Sequence, residues 1–118
     1  MTDPLIAAAL VGVGGAVGAA GRHAVGLRIE GRRSVVAVNA LGSFALGAVL
    51  AAPTGSGATL VAAVGFCGAF TTFSSFAVET VSIAADGDVR TAAEFAVATA
   101  VTALFAFLVG AGVGGVVR

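Results

Sequence analysis

The sequence predicts an all-α integral membrane protein that crosses the bilayer as four transmembrane helices in a single domain, residues 1–118. Of the 118 residues, 58% are hydrophobic and 10% are charged, and the mean hydropathy is +1.09. A soluble domain of this size carries about 25% charged residues to cover its surface. The charges here fall in short clusters between long apolar runs, and these runs lack the alternation of a transmembrane strand. Both features favour helices surrounded by lipid.

The charge clusters and one turn divide the chain into predicted spans at 4–22, 34–52, 58–80 and 94–116. The first apolar run ends where Arg22 and His23 occur together. Residues 34–78 carry no charge, and this stretch is too long for one span because about 20 residues cross the hydrocarbon. The segment 53–57, Pro-Thr-Gly-Ser-Gly, is a turn signal that divides it. A charged cluster at 86–90 precedes the last run.

The arginines indicate how the chain is oriented in the plasma membrane. Two of the predicted connections lie on one side of the bundle and contain nearly all the arginines, whereas only Arg118 lies on the other side. Basic residues favour the cytoplasmic side, so we expect both termini outside the cell. The arginines on the cytoplasmic side are Arg22, Arg28, Arg32, Arg33 and Arg90.

Small residues recur at a spacing of four in three of the spans. Such spacing lets helix backbones approach closely in lipid, where van der Waals contact drives helix association. We therefore expect these faces to be helix–helix contacts. The pairs are Gly14 with Gly18, Ser43 with Gly47, and Gly110 with Gly114.

Asn39 is the first of three polar features inside the spans, where polar groups are costly and tend to be functional or well partnered. Its side-chain amide both donates and accepts hydrogen bonds. Two interpretations are open at this point. The amide bonds a neighbouring helix, or it is a donor that faces an anion.

The second feature is an aromatic and hydroxyl segment in the third span, residues 66–76. Its phenylalanines, at 66, 70, 73 and 76, follow a helical spacing that predicts one stripe. Such a stripe packs in a core or presents the positive ring edges to an anion. Four hydroxyls interleave with it, and hydroxyls also donate to anions. Gly68 and the β-branched Thr71 and Thr72 predict a helix broken near its middle, with freed carbonyls that need a partner such as an ion.

Glu79 is the third feature, an interfacial carboxylate for which proton coupling is an alternative role. In the last span, Thr99 and Thr102 bond the carbonyl four residues earlier, or they extend a polar track. The single cysteine, Cys67, and the single histidine allow no disulfide, metal-ligand cluster or nucleophile–base constellation. We therefore expect a protein that is not an enzyme.

Three motifs resemble those of the CrcB/Fluc family of fluoride channels. Residues 14–23 (GGAVGAAGRH) resemble the family's first-helix signature, 39–47 (NALGSFALG) its second-helix motif, and 65–76 (GFCGAFTTFSSF) its most diagnostic segment. The order of the motifs, the chain length and the number of spans also match. The resemblance implies a dual-topology-type, antiparallel dimer with two narrow pores at its interface, which exports fluoride from the cytoplasm and so prevents its toxicity.

The resemblance also implies roles for individual residues. The carbonyls of Gly68 and Thr71 are expected to surround a central structural Na⁺. Arg22 and Glu79 match positions where family members carry an arginine and an acid. The expected pore residues are Asn39, Thr72, Phe73, Ser75, Phe76, Thr99 and Thr102.

The arginine bias departs from the simplest pattern of this family. A homodimer of dual topology needs little charge bias, because one sequence must insert in both orientations. The bias therefore favours a related subunit of opposite orientation as the partner, with a second copy of the chain as the alternative.

Two other classes of protein are alternatives to a channel. A small multidrug transporter needs a carboxylate in the first helix, but no acid lies between Asp3 and Glu30, and the chain has no Trp or Tyr to stack on a cationic drug. A non-conducting accessory membrane subunit would account for the glycines. It would leave the hydroxyls of the TTFSSF segment, residues 71–76, without a purpose.

Overall fold

The computed structural model describes residues 2–117, and in this part of the chain four long helices follow one another with short connections. Each is long and apolar enough to cross a membrane, which confirms the predicted number of spans. Arg118, counted in the orientation argument, lies outside the described residues. The helices are the first (Pro4–Arg28), the second (Arg32–Ala51), the third (Ser56–Ala85, interrupted) and the fourth (Val89–Val116).

All four helices extend beyond the predicted spans at one end or at both. The first continues for a turn and a half past Arg22, and the fourth begins before residue 94. Charged side chains end an apolar run, but they do not end a helix, because they are good helix formers once they reach the polar interface. The helix ends are instead set by capping residues.

Acidic side chains cap two of the helices. Asp3 accepts a hydrogen bond from the backbone N–H of Leu5 at 2.8 Å, and Pro4 occupies the first helical position. Asp88 caps the fourth helix by accepting from the N–H and the hydroxyl of Thr91. These two bonds lower the pKa of Asp88, and the charge of Arg32 lowers it further. Because the four spans follow one another with short connections, the first and third connections lie at one end of the bundle, as predicted.

The third helix is broken near its middle, as predicted. Its first half, residues 56–70, begins and ends as α-helix but is a π-helix over Leu60–Cys67. Thr71 and Thr72 have extended backbone and form the helix break. The second half, Phe73–Ala85, is α-helical. The π-helix, a rare conformation that often marks functional sites, was not predicted.

The prediction of one phenylalanine stripe along the third helix is wrong. Phe66 stacks on Phe70 within the first half, with ring centroids 5.3 Å apart, and Phe73 lies 5.9 Å from Phe76 in the second half. Phe70 is buried, whereas Phe73 is 81% exposed in the subunit. The extended break changes the helical phase between the pairs, so a spacing that assumes a continuous helix does not apply across it.

Glycines bring the helices together in two closely packed pairs. In the first pair, a Cβ on Gly14 or Gly18 of the first helix would collide with a carbonyl oxygen of the third helix. In the second pair, a Cβ on Gly110 or Gly114 of the fourth helix would collide with a carbonyl oxygen of the second, and one on Gly47 with a carbonyl of the fourth. These contacts confirm the predicted glycine faces. The subunit is held together by backbone contact rather than by interdigitated large side chains.

Candidate functional site

The helix break is the centre of the candidate site. Thr71 has φ −79° and ψ 162°, and Thr72 has φ −145° and ψ 116°. In an uninterrupted helix the N–H of Thr72 would donate to the carbonyl of Gly68. At the break this N–H points to another helix instead. Backbone groups at membrane depth need partners inside the protein, and side chains from two neighbouring helices provide them.

Asn39, on the second helix, forms two hydrogen bonds with the backbone of Thr72. Its Oδ1 accepts from the N–H of Thr72 at 2.7 Å, and its Nδ2 donates to the carbonyl of Thr72 at 3.0 Å. The pair of bonds fixes which end of the amide is oxygen. Of the two interpretations of Asn39, the structure contains the helix–helix hydrogen bond. Nδ2 carries a second N–H that this pair does not use.

Arg22, on the first helix, contacts the break from another direction. Its Nη1 donates to the carbonyl of Thr71 at 3.3 Å. The hydroxyl of Thr71 donates to the carbonyl of Cys67 at 2.9 Å. The hydroxyl of Thr72 accepts from the N–H of Ser75 at 3.1 Å and so caps the second half of the third helix. The backbone N–H and carbonyl groups of Thr71 and Thr72 are therefore all bonded within a single subunit.

A cavity of about 440 Å³ opens beside the break, between the second, third and fourth helices. It brings together most of the residues that the sequence singled out. Its lining contains no carboxylate and no basic group. The predicted site residues that line it are Asn39, Gly68, Thr71, Thr72, Phe73, Phe76 and Thr99.

The other predicted residues lie elsewhere. Ser75 and Glu79 line a separate surface pocket of about 240 Å³, together with Ser74 and Val78. Thr102 is exposed on the fourth helix and is not part of the cavity. Arg22 reaches the break from the first helix, which does not line the cavity. The predicted residues thus lie in the cavity, in the neighbouring pocket or, for Arg22, against the break, whereas Thr102 lies in none of these places.

Thr99 faces the cavity with its hydroxyl already bonded. It is 3% exposed, and its hydroxyl donates to the carbonyl of Phe95 at 2.7 Å. This is the bond to the carbonyl four residues earlier that the sequence allowed. Phe95 in turn stacks against Phe76, with ring centroids 5.8 Å apart. The fourth helix therefore orients one of the two phenylalanine rings at the cavity.

Comparison with known proteins agrees with this geometry. The sequence matches the family described as CrcB-like protein, Camphor Resistance (CrcB), over residues 9–111. The chain belongs to the CrcB-like family. It is 50% identical over 112 residues to fluoride-specific ion channel FluC 2 of Natronomonas pharaonis, which covers 93% of this chain and 96% of that protein.

Two further relatives of this CrcB-like chain are also named as fluoride-specific ion channels. It is 47% identical to fluoride-specific ion channel FluC 2 of Haloarcula marismortui, over 85% of this chain and 87% of that protein. It is 38% identical to fluoride-specific ion channel FluC of Thermus thermophilus, over 90% of this chain and 93% of that protein. The family match includes the whole of the break and every residue that lines the cavity.

Two cavity features of this CrcB-like protein were missed in the sequence. Ser43 lines the cavity, whereas the sequence analysis predicts only a packing role for it. It lies four positions after Asn39, so both belong to one helix face, and this spacing was a usable signal. The second feature is Phe95, whose stacking on Phe76 the sequence analysis does not predict. Its spacing of four from Thr99 placed both on one face, but only the fold shows which helix that face meets.

Proposed function

We propose that this CrcB-like protein is a fluoride-selective ion channel that exports fluoride from the cytoplasm across the plasma membrane and so prevents its toxicity. The names of its relatives support this proposal. The observation that carries it is the cavity beside a broken transmembrane helix, because an amide, hydroxyls and phenylalanine rings meet there without any ionised group. A channel of this kind moves an ion without chemical conversion, so the protein is not expected to be an enzyme.

The lining of the cavity suits a small anion better than a cation. Fluoride is strongly hydrated, so a selective path needs donors that replace its water in a constriction. The second N–H of Asn39 and the hydroxyls of Ser43 and Thr72 are donors of this type. The ring edges of Phe73 and Phe76 carry the positive part of the aromatic quadrupole. A cation would find no carboxylate there.

The hydroxyl-rich second half of the third helix extends the proposed path. Ser75 lies outside the cavity and lines the neighbouring pocket together with Glu79. We assign this pocket to the vestibule of the channel. Thr102 is proposed as a further pore residue. Thr99 contributes to the pore wall, with its hydroxyl hydrogen donated to Phe95 rather than to the path. For an anion, Thr99 is therefore a weaker donor than Thr72 or Ser43.

A structural Na⁺ fits the break, with the carbonyls of Gly68 and Thr71 as ligands. The N–H that would bond the Gly68 carbonyl in a helix is held by Asn39, so this carbonyl lacks its helical donor. The Thr71 carbonyl accepts one hydrogen bond from Arg22, and Na⁺ would use its second lone pair. Both carbonyls therefore suit a hard cation, which prefers oxygen ligands. When bound, the ion would supply a positive charge that joins the two halves of the helix. Two carbonyls are too few for a complete shell, so other ligands would come from a second subunit or water.

The partner is proposed to be a subunit of opposite orientation, either a related chain or a second copy. Phe73 is 81% exposed and the cavity is open at the side of the subunit. A narrow path therefore needs another surface to close it. The bias of arginines toward one side of the membrane favours a related chain.

The proposal is tested by fluoride efflux from liposomes that contain the purified chain, measured with a fluoride electrode and with chloride as the control ion. We expect rapid, fluoride-selective efflux. Asn39→Asp should lower it by about 10- to 100-fold, because a carboxylate oxygen would face the Thr72 carbonyl in place of a donor. Ser34→Asp adds the same charge to the first turn of the second helix, away from the cavity, and should leave efflux unchanged.

The absence of efflux from the purified chain would be followed by co-reconstitution with a related subunit. Restored fluoride efflux would support the channel and identify it as a heterodimer. Continued absence of efflux, or efflux that does not distinguish fluoride from chloride, would overturn the proposal and favour an accessory subunit. Equal losses of fluoride efflux in Asn39→Asp and Ser34→Asp would show that Asn39 is not part of the path.

A further inference from the structure

One face of the first helix contacts a regular series of carbonyls on the third helix. Gly14, Gly18 and Arg22 are spaced by four and therefore share a face. The two glycines lie against the carbonyls of Val61 and Phe66, and Arg22 donates to the carbonyl of Thr71. The three carbonyls are spaced by five residues, which is the repeat of the π-helical hydrogen bond. Each turn of the first helix thus meets one carbonyl, and Arg22 stands at the end of the series.

Arg22 is a charged residue beside the helix break, and it has no acidic partner within the described residues. It is half-buried, and within residues 2–117 the ion pair present is Arg90 with Glu94 at the surface. A charged side chain inside a membrane protein is costly and marks a functional role by default. Arg22 donates its hydrogen bond to the neutral carbonyl of Thr71, which indicates that its role lies at the break.

The two supports of the break bind it from different helices. Thr71 and Thr72 are both extended, and successive carbonyls of an extended segment point in opposite directions. Arg22 on the first helix binds the carbonyl of Thr71, and Asn39 on the second helix binds the carbonyl of Thr72. Without the hydrogen bond from Arg22 or the one from Asn39, the peptide group that it holds would be free to rotate. Thr72 and Phe73, which line the cavity, would then lose their fixed orientation.

We propose that Arg22 is a positioning residue, which holds the helix break in place through the Thr71 carbonyl and thereby orients the polar lining of the cavity. It acts through Thr71 and does not touch the path itself. A guanidinium suits this task because its charge strengthens the hydrogen bond to a carbonyl and its planar donors lose little freedom on binding.

The single cysteine of the chain allows a direct measurement of the break. Cys67 is 3% exposed, lines the cavity, and accepts through its carbonyl from both the N–H and the hydroxyl of Thr71. Its thiol should therefore become reactive when the turn before the break opens. The rate of modification by methyl methanethiosulfonate, a small neutral reagent, measures that opening on the reconstituted protein.

Arg22→Met is expected to raise the rate of Cys67 modification by about 10- to 100-fold, the effect of losing one charge-assisted hydrogen bond. Arg22→Lys keeps a charged donor for the same carbonyl and should restore most of the wild-type rate. Arg28→Met removes an exposed arginine from the same helix and serves as the matched control, with no expected change. Where Arg22→Met cannot be purified, Arg22→Gln provides a neutral, shorter donor and an intermediate rate is expected.

Fluoride efflux provides a second readout, which rests on the proposed function. Efflux should fall in Arg22→Met and recover in Arg22→Lys, in parallel with the Cys67 rate. An unchanged Cys67 rate in both Arg22→Met and Arg22→Gln would overturn the assignment, and so would an equal change in Arg28→Met. The Cys67 measurement needs no conduction, so a wild-type protein without fluoride efflux would refute the proposed function and still decide the role of Arg22.

Discussion

The two halves of the third helix differ in how the subunit covers them. The first half, residues 56–70, contributes four buried residues, packs chiefly on the first helix and contains the π-helix. The second half, Phe73–Ala85, has no buried residue and packs chiefly on the fourth helix. The buried residues of the first half are Ala63, Gly65, Cys67 and Phe70.

This difference separates two tasks within one membrane span. The first half holds the subunit together by contact between backbones, where one added carbon atom would collide with a carbonyl. The second half presents Phe73, Ser74 and Ser75 on an exposed surface, which is available to an ion or to a second subunit. Substitutions in the first half should therefore act on stability, and substitutions in the second half on transport.

The largest expected effect lies where the first helix packs on the first half. Gly18→Leu places a side chain against the carbonyl of Phe66, and the helices must separate. We expect the free energy of unfolding to fall by about 3 kcal/mol or more, at the upper end of the cost of overpacking. Thermal unfolding in detergent, with size-exclusion chromatography, measures the loss.

Gly12→Leu is the matched control for Gly18→Leu, because Gly12 is in the same helix with no atom within 4 Å of an added Cβ. Its stability should stay the same or rise by about 0.5–1 kcal/mol, since glycine is a poor helix former. Similar losses in both variants would show that the first helix does not depend on close contact with the third.

An intermediate effect is expected at the boundary between the halves. Thr72→Ala removes the hydroxyl that caps the second half and should cost about 1 kcal/mol in the free energy of unfolding. Thr72→Ser keeps the oxygen and should recover most of this loss. Thermal unfolding of the two variants side by side measures the difference, and equal stability of Thr72→Ala and the wild type would contradict the cap.

The smallest effect on stability is expected in the second half, at Phe73. Because its ring is 81% exposed, Phe73→Leu should change the free energy of unfolding of the subunit by less than about 0.5 kcal/mol. Fluoride efflux should nevertheless fall by about 3- to 10-fold, because a ring edge is lost from the proposed path.

Phe70→Leu gives the opposite pattern and serves as the comparison for Phe73→Leu. The ring of Phe70 is 7% exposed and stacks on Phe66, so its truncation should lower stability by about 1–3 kcal/mol. A loss of stability in Phe73→Leu as large as that in Phe70→Leu would mean that the two halves do not divide the tasks.

The sequence predicted the features that depend on composition and local spacing. Runs without charge predicted the four helices, and the glycine pairs predicted the closely packed faces. The threonines at 71 and 72, with Gly68, predicted the break. These features follow from short-range chemistry, since lipid tolerates few alternatives to a bonded helix.

Features that depend on the relative phase of helices were not predictable in this way. The pairing of Asn39 with the backbone of Thr72 needs the break to face the second helix, and no local pattern specifies that direction. The single phenylalanine stripe was wrong for the same reason, because the extended residues change the phase between Phe70 and Phe73. The π-helix also escaped prediction, because no residue pattern in the apolar run 60–67 distinguishes it from an α-helix.

The positions of the two supports along the chain have a consequence for the synthesis of this protein. Arg22 precedes Thr71 by 49 residues, and Asn39 precedes Thr72 by 33. A chain made from its amino terminus begins to fold from that end, so both supports are already in the bilayer when the third helix leaves the ribosome. The break can be bonded as soon as the third helix enters the lipid, before a second subunit is met.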